Sequence, residues 1–588
     1  MTTVRMCYLS IIVLVAASLL VLSSPSTIAR PADTGLASTT GLVVSNSETA
    51  ADIGAQILHQ GGNAVDAAVA DLFAQAVTNP GAGNIGGGGF MLIRMADGKV
   101  AAIDYREMAG HAATPSMYTI SPGKLDPGMA SSPAQPGSNP SVHGYKGVAV
   151  PGTVSGLALA HKTFGKLPWK DVVLPAAKLA TDGFPMNAGL ARNLNSALAG
   201  PMKPYPSSVA AYGKPGGGQW AAGDRLVLPD LGKTLGAIAE QGPDVFYKGW
   251  IADSIVKDMQ ANGGIITKAD LESYHAKMRV PLTTTYKGFQ IIASPPASSG
   301  IVLIEMMNIL ENFDLKKTGR YSPETLALII EAMRRGYLDR ARYLGDPDFT
   351  VIPTDRLTSK SYAKTLADAI PHDKATSSVE LGKDLVASAL GDNEGPQTTT
   401  IAVIDKDGNA VSNTYTLMDG YGSKIVVKGA GFFLNNEMGS FNITPGNNDL
   451  EGNLGTKPNQ IEPLKRPLTS MMPAMVVKNG KLVLATGAPG ARTIINTVME
   501  VVLNVTEFGM TGREAVDAPR MDHEWLPDVT TFEKGGIPDA AQQKLVQMGY
   551  KLKEKGGQGT ANSIWVDSET GIAYGENDGR GGDTKASK

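Results

Sequence analysis

The chain has 588 residues, of which 42 % are apolar and 19 % charged, enough for a sizeable core and incompatible with global disorder. Lys and Arg number 53 against 56 Asp and Glu, a net charge of −3. That balance offers no basic excess for nucleic acid and no acidic tail. Glycine is abundant, at 68 residues, and the one cysteine is Cys7.

Residues 1–29 read as an export signal. Arg5 supplies the positive start, Leu9 to Leu22 is apolar apart from Ser10 and Ser18, and small residues follow up to Ala29. The alternative is a membrane anchor, but the apolar run is short for a span of about 20 residues. Cleavage after Ala29 predicts a periplasmic or secreted protein with no stable membrane span. The processed chain would hold no cysteine, which excludes disulfides, thiolate metal sites and a Cys nucleophile.

Strand and helix signals then alternate. Gly41–Ser45 reads as a strand, and Ala50–Gln60 and Asn63–Val77 have helical spacing. Phe90–Met95 and Val100–Tyr105 read as strands around an Asp97-Gly98 turn. Residues 111–145, rich in Pro, Ser and Gly, read as loop. A mainly helical region spans 152–370, with amphipathic stretches at Trp169–Asp182, Leu228–Gln241, Trp250–Asn262 and Pro323–Arg342. A strand at Gly288–Ala293 interrupts it. Residues 371–397 form a polar linker. Strands are predicted at Thr399–Asp405, Ala410–Leu417, Gly431–Leu434, Met475–Lys478 and Leu482–Thr486, and helices at Thr493–Val505 and Thr511–Ala518. The order suits a layered α/β fold with a helical elaboration.

Gly81-Ala82-Gly83-Asn84-Ile85-Gly86 satisfies G-x-G-x-x-G, but here a helix precedes the loop and a strand follows. That reverses the context a dinucleotide needs, so the segment reads as a turn permitting close backbone approach. The seven histidines include no i, i+3 or i, i+4 pair, and no G-x-S-x-G elbow is present. A nucleophile that carries its own base remains. Gly395-Pro396-Gln397-Thr398-Thr399-Thr400 joins the polar linker to a strand. Were the chain cut before Thr398, the freed α-amine, with a reference pKa of about 8, would be such a base. Asp405-Lys406-Asp407-Gly408-Asn409 is a turn signal; with Gly408 left-handed, Asp405 pairs with Asn409 and Thr398 with Thr416. The plain alternative is an ordinary Thr–Thr cross-strand pair.

Stretches from Gly41 to Arg580 resemble the γ-glutamyltranspeptidase family of N-terminal-nucleophile hydrolases, in the family's order. They include residues 61–68 (GGNAVDAA), 86–92, 104–108 (DYREM), 344–349 (LGDPDF), Thr398-Thr399, 434–438 (LNNEM), 465–471 (KRPLTSM), 486–490 (TGAPG) and 517–520 (DAPR). The resemblance implies a four-layer αββα sandwich made as a precursor. Self-cleavage between Gln397 and Thr398 would give a large subunit, 30–397, and a small catalytic subunit, 398–588, that form a heterodimer. Thr398 would attack the γ-carbonyl of glutathione or a related γ-glutamyl amide. Thr416 would assist it, and water or an amino-acid or peptide acceptor would resolve the glutamyl ester. No cofactor or metal is implied.

The same resemblance assigns other roles. Gly490 and Ala491 match the family's Gly-Gly oxyanion pair, Ala keeping its N–H. Arg106 would take the donor's α-carboxylate, with Thr469 and Ser470 matching an assisting Ser pair. Glu437 would take the α-ammonium. Two departures stand out: Met418 replaces an Asn and Ser440 an Asp, so an amide acceptor and a carboxylate are missing. That should weaken ammonium binding by about 1–3 kcal/mol and opens a second reading, an amide acylase for glutaryl-type donors. A third reading is an uncleaved carboxylate-binding protein. Thr400 also replaces a His, and residues 442–461 match a loop that covers the site in some members, or form a plain surface loop.

Overall fold

Alternation along the strand Thr398–Asp405 builds two cores at once. Ile401 and Val403 face one, Ala402 and Ile404 the other. The computed structural model describes residues 35–121, 124–125, 144–385, 397–445, 456–581 and 585–588. The expected export signal, residues 386–396 of the polar linker, and parts of the loops 111–145 and 442–461 lie outside the described residues.

The strand belongs to a seven-stranded antiparallel sheet. Its order runs Lys585–Ser587, Gly41–Ser45, Thr398–Asp405, Ala410–Thr416, Gly88–Arg94, Val100–Asp104, Lys277–Arg279. A second sheet of seven runs Leu36–Ser38, Ala573–Glu576, Asn562–Val566, Lys481–Gly487, Ala474–Lys478, Phe289–Ala293, Leu282–Tyr286. Leu42, Val44, Leu92 and Ala402 from the first meet Ile292, Met475, Ala485 and Ile564 from the second in an apolar layer between the sheets. The opposite faces are covered by helices. Val43, Met91, Ile93 and Val411 pack under Glu48–His59 and Ala64–Thr78. Val476, Leu484 and Trp565 pack under Gly300–Leu310, Pro323–Tyr343 and Ile494–Thr506. Four layers follow, helix, sheet, sheet, helix, as expected from the sequence.

Three long helices among the described residues are buried along their whole length, Ile494–Thr506 among them. In Ala64–Thr78 all residues are buried, and small alanines let it lie between the sheet and the helices Glu48–His59 and Trp169–Asp182. Its start is fixed by Asn63, whose Oδ1 accepts from Val65 N and Asp66 N, while Asp66 accepts from Asn63 N at 2.9 Å. Gly300–Leu310 is also wholly buried. It lacks a polar face, so a search for amphipathic spacing passes over it.

Three expectations need correction. Gly431–Leu434 is irregular, with only a bridge between Val426 and Phe433. Phe432 and Phe433, neighbours in sequence, both enter the same helical core, against Phe246 and Tyr212 respectively, which a strand cannot do. The loop 111–145 contains a small ribbon, Thr119–Ser121 with Lys124–Leu125. Beyond residue 520, Asn562–Val566, Ala573–Glu576 and Lys585–Ser587 are sheet strands that the pattern reading left out.

Ile401→Ala, at the centre of the first sheet, is expected to cost about 2–5 kcal/mol in chemical denaturation. A loss below 1 kcal/mol would contradict its place in the core.

Candidate active site

The hairpin after Thr398 has the expected geometry. Asp405 N donates to Asn409 O at 3.0 Å and Gly408 N to Asp405 O at 3.1 Å. Gly408 has φ +87°, the conformation that glycine adopts without a Cβ clash. The Asp405 carboxylate tightens the turn, accepting from Asp407 N, Asn409 N and Asn409 Nδ2, and from Ala64 N at the buried helix start. Register then carries along the pair and sets Thr398 opposite Thr416. Both are buried, Thr398 at 9 % exposure and Thr416 at 3 %. Thr416 Oγ1 donates to the Gln397 carbonyl at 2.6 Å and accepts from Met418 N at 2.8 Å.

The glycine run 86–89 passes behind this pair. A Cβ on Gly87 would strike Thr416 O. Asn84 Nδ2 donates to the same oxygen at 2.9 Å, and its Oδ1 accepts from Gly87 N. A helix precedes the loop and a strand follows it, the reverse of a phosphate cradle.

Arg106 sits at the end of Val100–Asp104, two strands away. It is 1 % exposed and lies between two carboxylates, with Nη1 3.0 Å from Glu107 Oε2 and Nη2 2.8 Å from Glu437 Oε2. Its Nε donates to Pro467 O at 3.1 Å, just before Thr469 and Ser470. Burial, with Glu437 beside it, pushes the Glu107 carboxyl well up, and Arg106 opposes this. Glu107 Oε1 and Glu437 Oε1 are buried without a hydrogen-bond partner. Ser440 Oγ donates to Glu437 Oε2 at 2.7 Å. The cluster thus gathers Arg106, Glu437 and Ser440, with Glu107 as a member the sequence reading quoted without giving it a role.

The other expected residues are near but differently engaged. Met418 follows Thr416 with φ +79° and is 3 % exposed. It occupies backbone that favours Asn or Gly over a long side chain. Asp419 turns away, accepting from Asn436 Nδ2 at 2.9 Å. Ala491 has φ +54°, so its Cβ is tolerated at a cost of about 1–2 kcal/mol. Thr469 Oγ1 accepts from Met471 N, and Ser470 Oγ from Arg340 Nη2 at 3.2 Å. Thr398 and Gly490 share a cleft of about 710 Å³ with Asn46, Lys555 and Arg580. Arg106 and Glu437 are buried outside that lining.

A polar chain underlies the strand that begins at Thr398. Thr399 Oγ1 lies 2.9 Å from Asn46 Oδ1 and 2.8 Å from Gln75 Oε1, and Asn46 Oδ1 also accepts from Thr400 N and Asn562 Nδ2. Gln75 Nε2 donates to Asp71 Oδ1 at 2.7 Å. Burial lifts Asp71 to about 7, against hydrogen bonds from Gln75 and Ser45. These residues carry no local motif, and only the packing of Ala64–Thr78 under the strand brings them together. Among the described residues, no group of three or more His, Cys, Asp or Glu is placed to hold a metal. None of their helices is long and apolar enough to cross a membrane.

Arg106→Met would leave Glu437 buried without its cation and is expected to cost about 3–5 kcal/mol in chemical denaturation. Asp71 binds its proton more tightly in the folded chain. Its contribution is therefore complete below pH 4 and lost as pH rises to about 7. Against Asp71→Asn, the wild type should lose up to about 4 kcal/mol more stability between pH 4 and pH 7.5. Parallel pH profiles would remove Asp71 as the source.

A family model described as gamma-glutamyltranspeptidase matches residues 50–587. The glutathione hydrolase proenzyme of Escherichia coli (strain K12) is 45 % identical over 543 residues, covering 92 % of this chain and 90 % of that protein. Among solved structures, cephalosporin acylase from Bacillus halodurans superposes with a TM-score of 0.80 at 26 % identity, covering 96 % of this chain and 98 % of its own. Helicobacter pylori gamma-glutamyltranspeptidase gives 0.53 at 41 % identity, covering 56 % of this chain and 91 % of that one.

Proposed function

The chain belongs to the gamma-glutamyltranspeptidase family, and from that premise we propose that it is an exported, self-processing γ-glutamyl transferase and hydrolase acting on glutathione-like amides. The Gln397–Thr398 junction carries the reading. Thr416 donates its hydroxyl to the Gln397 carbonyl, which draws electron density from the carbon that Thr398 Oγ would attack. Attack forms the C–O bond and breaks the Gln397–Thr398 C–N bond, and the hydroxyl proton passes to the released amine. Water then hydrolyses the ester, leaving the Gln397 carboxylate and a Thr398 whose free α-amine is the base for later turnovers. The single matched chain of the Helicobacter pylori protein spans little more than half of this one, which fits a two-chain enzyme of subunits 30–397 and 398–588.

In turnover, Thr398 Oγ attacks the donor's γ-carbonyl and its amine takes the proton. The Gly490 and Ala491 N–H groups receive the oxyanion. The leaving amine departs with the proton, and water or an acceptor amine opens the glutamyl ester. Arg106 takes the donor's α-carboxylate beside Thr469 and Ser470, and the unpartnered Glu437 Oε1 accepts from its α-ammonium. A substrate carrying both a carboxylate and an ammonium offers a partner to the Arg106 guanidinium and to the unpartnered Glu437 Oε1.

Two observations favour a second reading, an amide acylase of altered specificity. Met418 brings no acceptor to the ammonium side, and the fold superposes closely on a cephalosporin acylase.

Purified protein should run as two bands on a denaturing gel, and Thr398→Ala as one band without activity. Two bands from that variant would remove Thr398 from the chemistry. γ-Glutamyl-4-nitroanilide should be hydrolysed faster than glutaryl-4-nitroanilide; the reverse order selects the acylase. Met418→Asn with Ser440→Asp should raise kcat/KM for the γ-glutamyl substrate about ten-fold, the equivalent of about 1.4 kcal/mol of recovered ammonium binding.

A further inference from the structure

The cleft that opens onto Thr398 and Gly490 is lined by two cations, Lys555 and Arg580, and by no Asp or Glu among the described residues. The two cations are not equivalent. Arg580 is saturated: its Nε and Nη2 hold both Glu533 oxygens at 2.7 and 2.6 Å, and Nη1 is 3.1 Å from Asp578 Oδ1. Lys555 makes one ion pair, with Asp522 Oδ2 at 3.9 Å, has Glu524 as a second acid in its field, and its side chain is 33 % exposed. Its position is fixed, because Lys555 N donates to Phe532 O at 2.9 Å at the end of the strand Leu552–Glu554. The acids behind it are weak partners. Asp522 accepts from Asn496 Nδ2 at 2.7 Å, and Glu524 is held by Arg492 at 2.8 Å. Burial raises both carboxyls, Glu524 to about 7, so near neutral pH they carry less than two negative charges between them. The Lys555 ammonium therefore leaves a net positive field in a cleft whose other described lining is neutral or self-compensated.

We propose that Lys555 binds a carboxylate on the amine side of the scissile amide, and so selects leaving groups and acceptors that are amino acids or peptides over uncharged amines. The inference rests on the γ-glutamyl-transfer reading and names the substrate class on the other side of the bond. Arg106 and Glu437 lie outside the cleft lining and address the acyl half. Lys555 shares the open cleft with the nucleophile and addresses the half that leaves or arrives. Lysine suits this task, since a mobile ammonium donates in several directions to carboxylates set at different distances from the amine.

Two anilides isolate the effect: γ-glutamyl-3-carboxy-4-nitroanilide, whose leaving amine bears a carboxylate, and γ-glutamyl-4-nitroanilide, whose leaving amine does not. The readout is the ratio of their kcat/KM values, which cancels any general loss of active enzyme. Lys555→Met should lower that ratio about ten-fold, and Lys555→Arg should hold it within about three-fold of wild type. Raising ionic strength from about 0.05 to 0.5 M should lower the ratio in wild type and not in Lys555→Met. An unchanged ratio in Lys555→Met overturns the proposal. Should wild type hydrolyse neither anilide, the γ-glutamyl reading fails instead, and calorimetry of cysteinylglycine binding still tests Lys555. Binding that weakens about ten-fold in Lys555→Met supports the site, and equal binding by both proteins overturns it.

Discussion

The antiparallel pairing of Thr398–Asp405 with Ala410–Thr416 is the constraint on which the rest of the molecule hangs. Both strands are buried along their whole length, with one face against the helices and the other against the second sheet. A slip of one residue would exchange those faces and drive Thr399 and Thr400 into the wrong cores. The Asp405 carboxylate fixes the turn and reaches the start of the buried helix as well. A single acidic side chain thus ties hairpin register to helix position, and register puts Thr416 on the Gln397 carbonyl.

Two kinds of polar environment surround that junction. Beneath it runs the chain from Asn46 through Thr399 and Gln75 to Asp71, whose carboxyl burial raises to about 7. To one side lies the charged cluster of Arg106, Glu107 and Glu437, almost wholly out of solvent. Such groups do not raise stability in proportion to their number, because desolvation offsets most of the Coulomb gain. They hold orientation in exchange. The cleft is different in kind, open and lined by Lys555 and Arg580.

Two of the eight non-glycine residues with positive φ among the described residues fall at the same place. Met418 and Ala491 hold left-handed conformations beside the two ends of the proposed reaction centre. At both positions the chain carries a side chain where the family pattern has a residue better suited to positive φ. The cost is small against the packing around them, since both sit in segments pinned on either side, by Thr416 and Asn436 in one case and by the start of the helix Ile494–Thr506 in the other.

The sequence by itself determined the layered fold, the Thr398–Thr416 register and the family. Alternation, a turn with Gly408 and the ordered motifs are all local, and each is written in contiguous residues. The late strands are only three to five residues long, too short for alternation to mark them, and Gly300–Leu310 lies in the expected helical region but shows no amphipathic spacing because every one of its residues is buried. Only the tertiary structure decided the environment of each group. That Glu107 shares Arg106 with Glu437, that Asp71 reaches Thr399 through Gln75, and that Lys555 is less fully paired than Arg580 depend on residues far apart in the chain. Burial and charge pairing are properties of the assembled layers, and no stretch of sequence carries them alone.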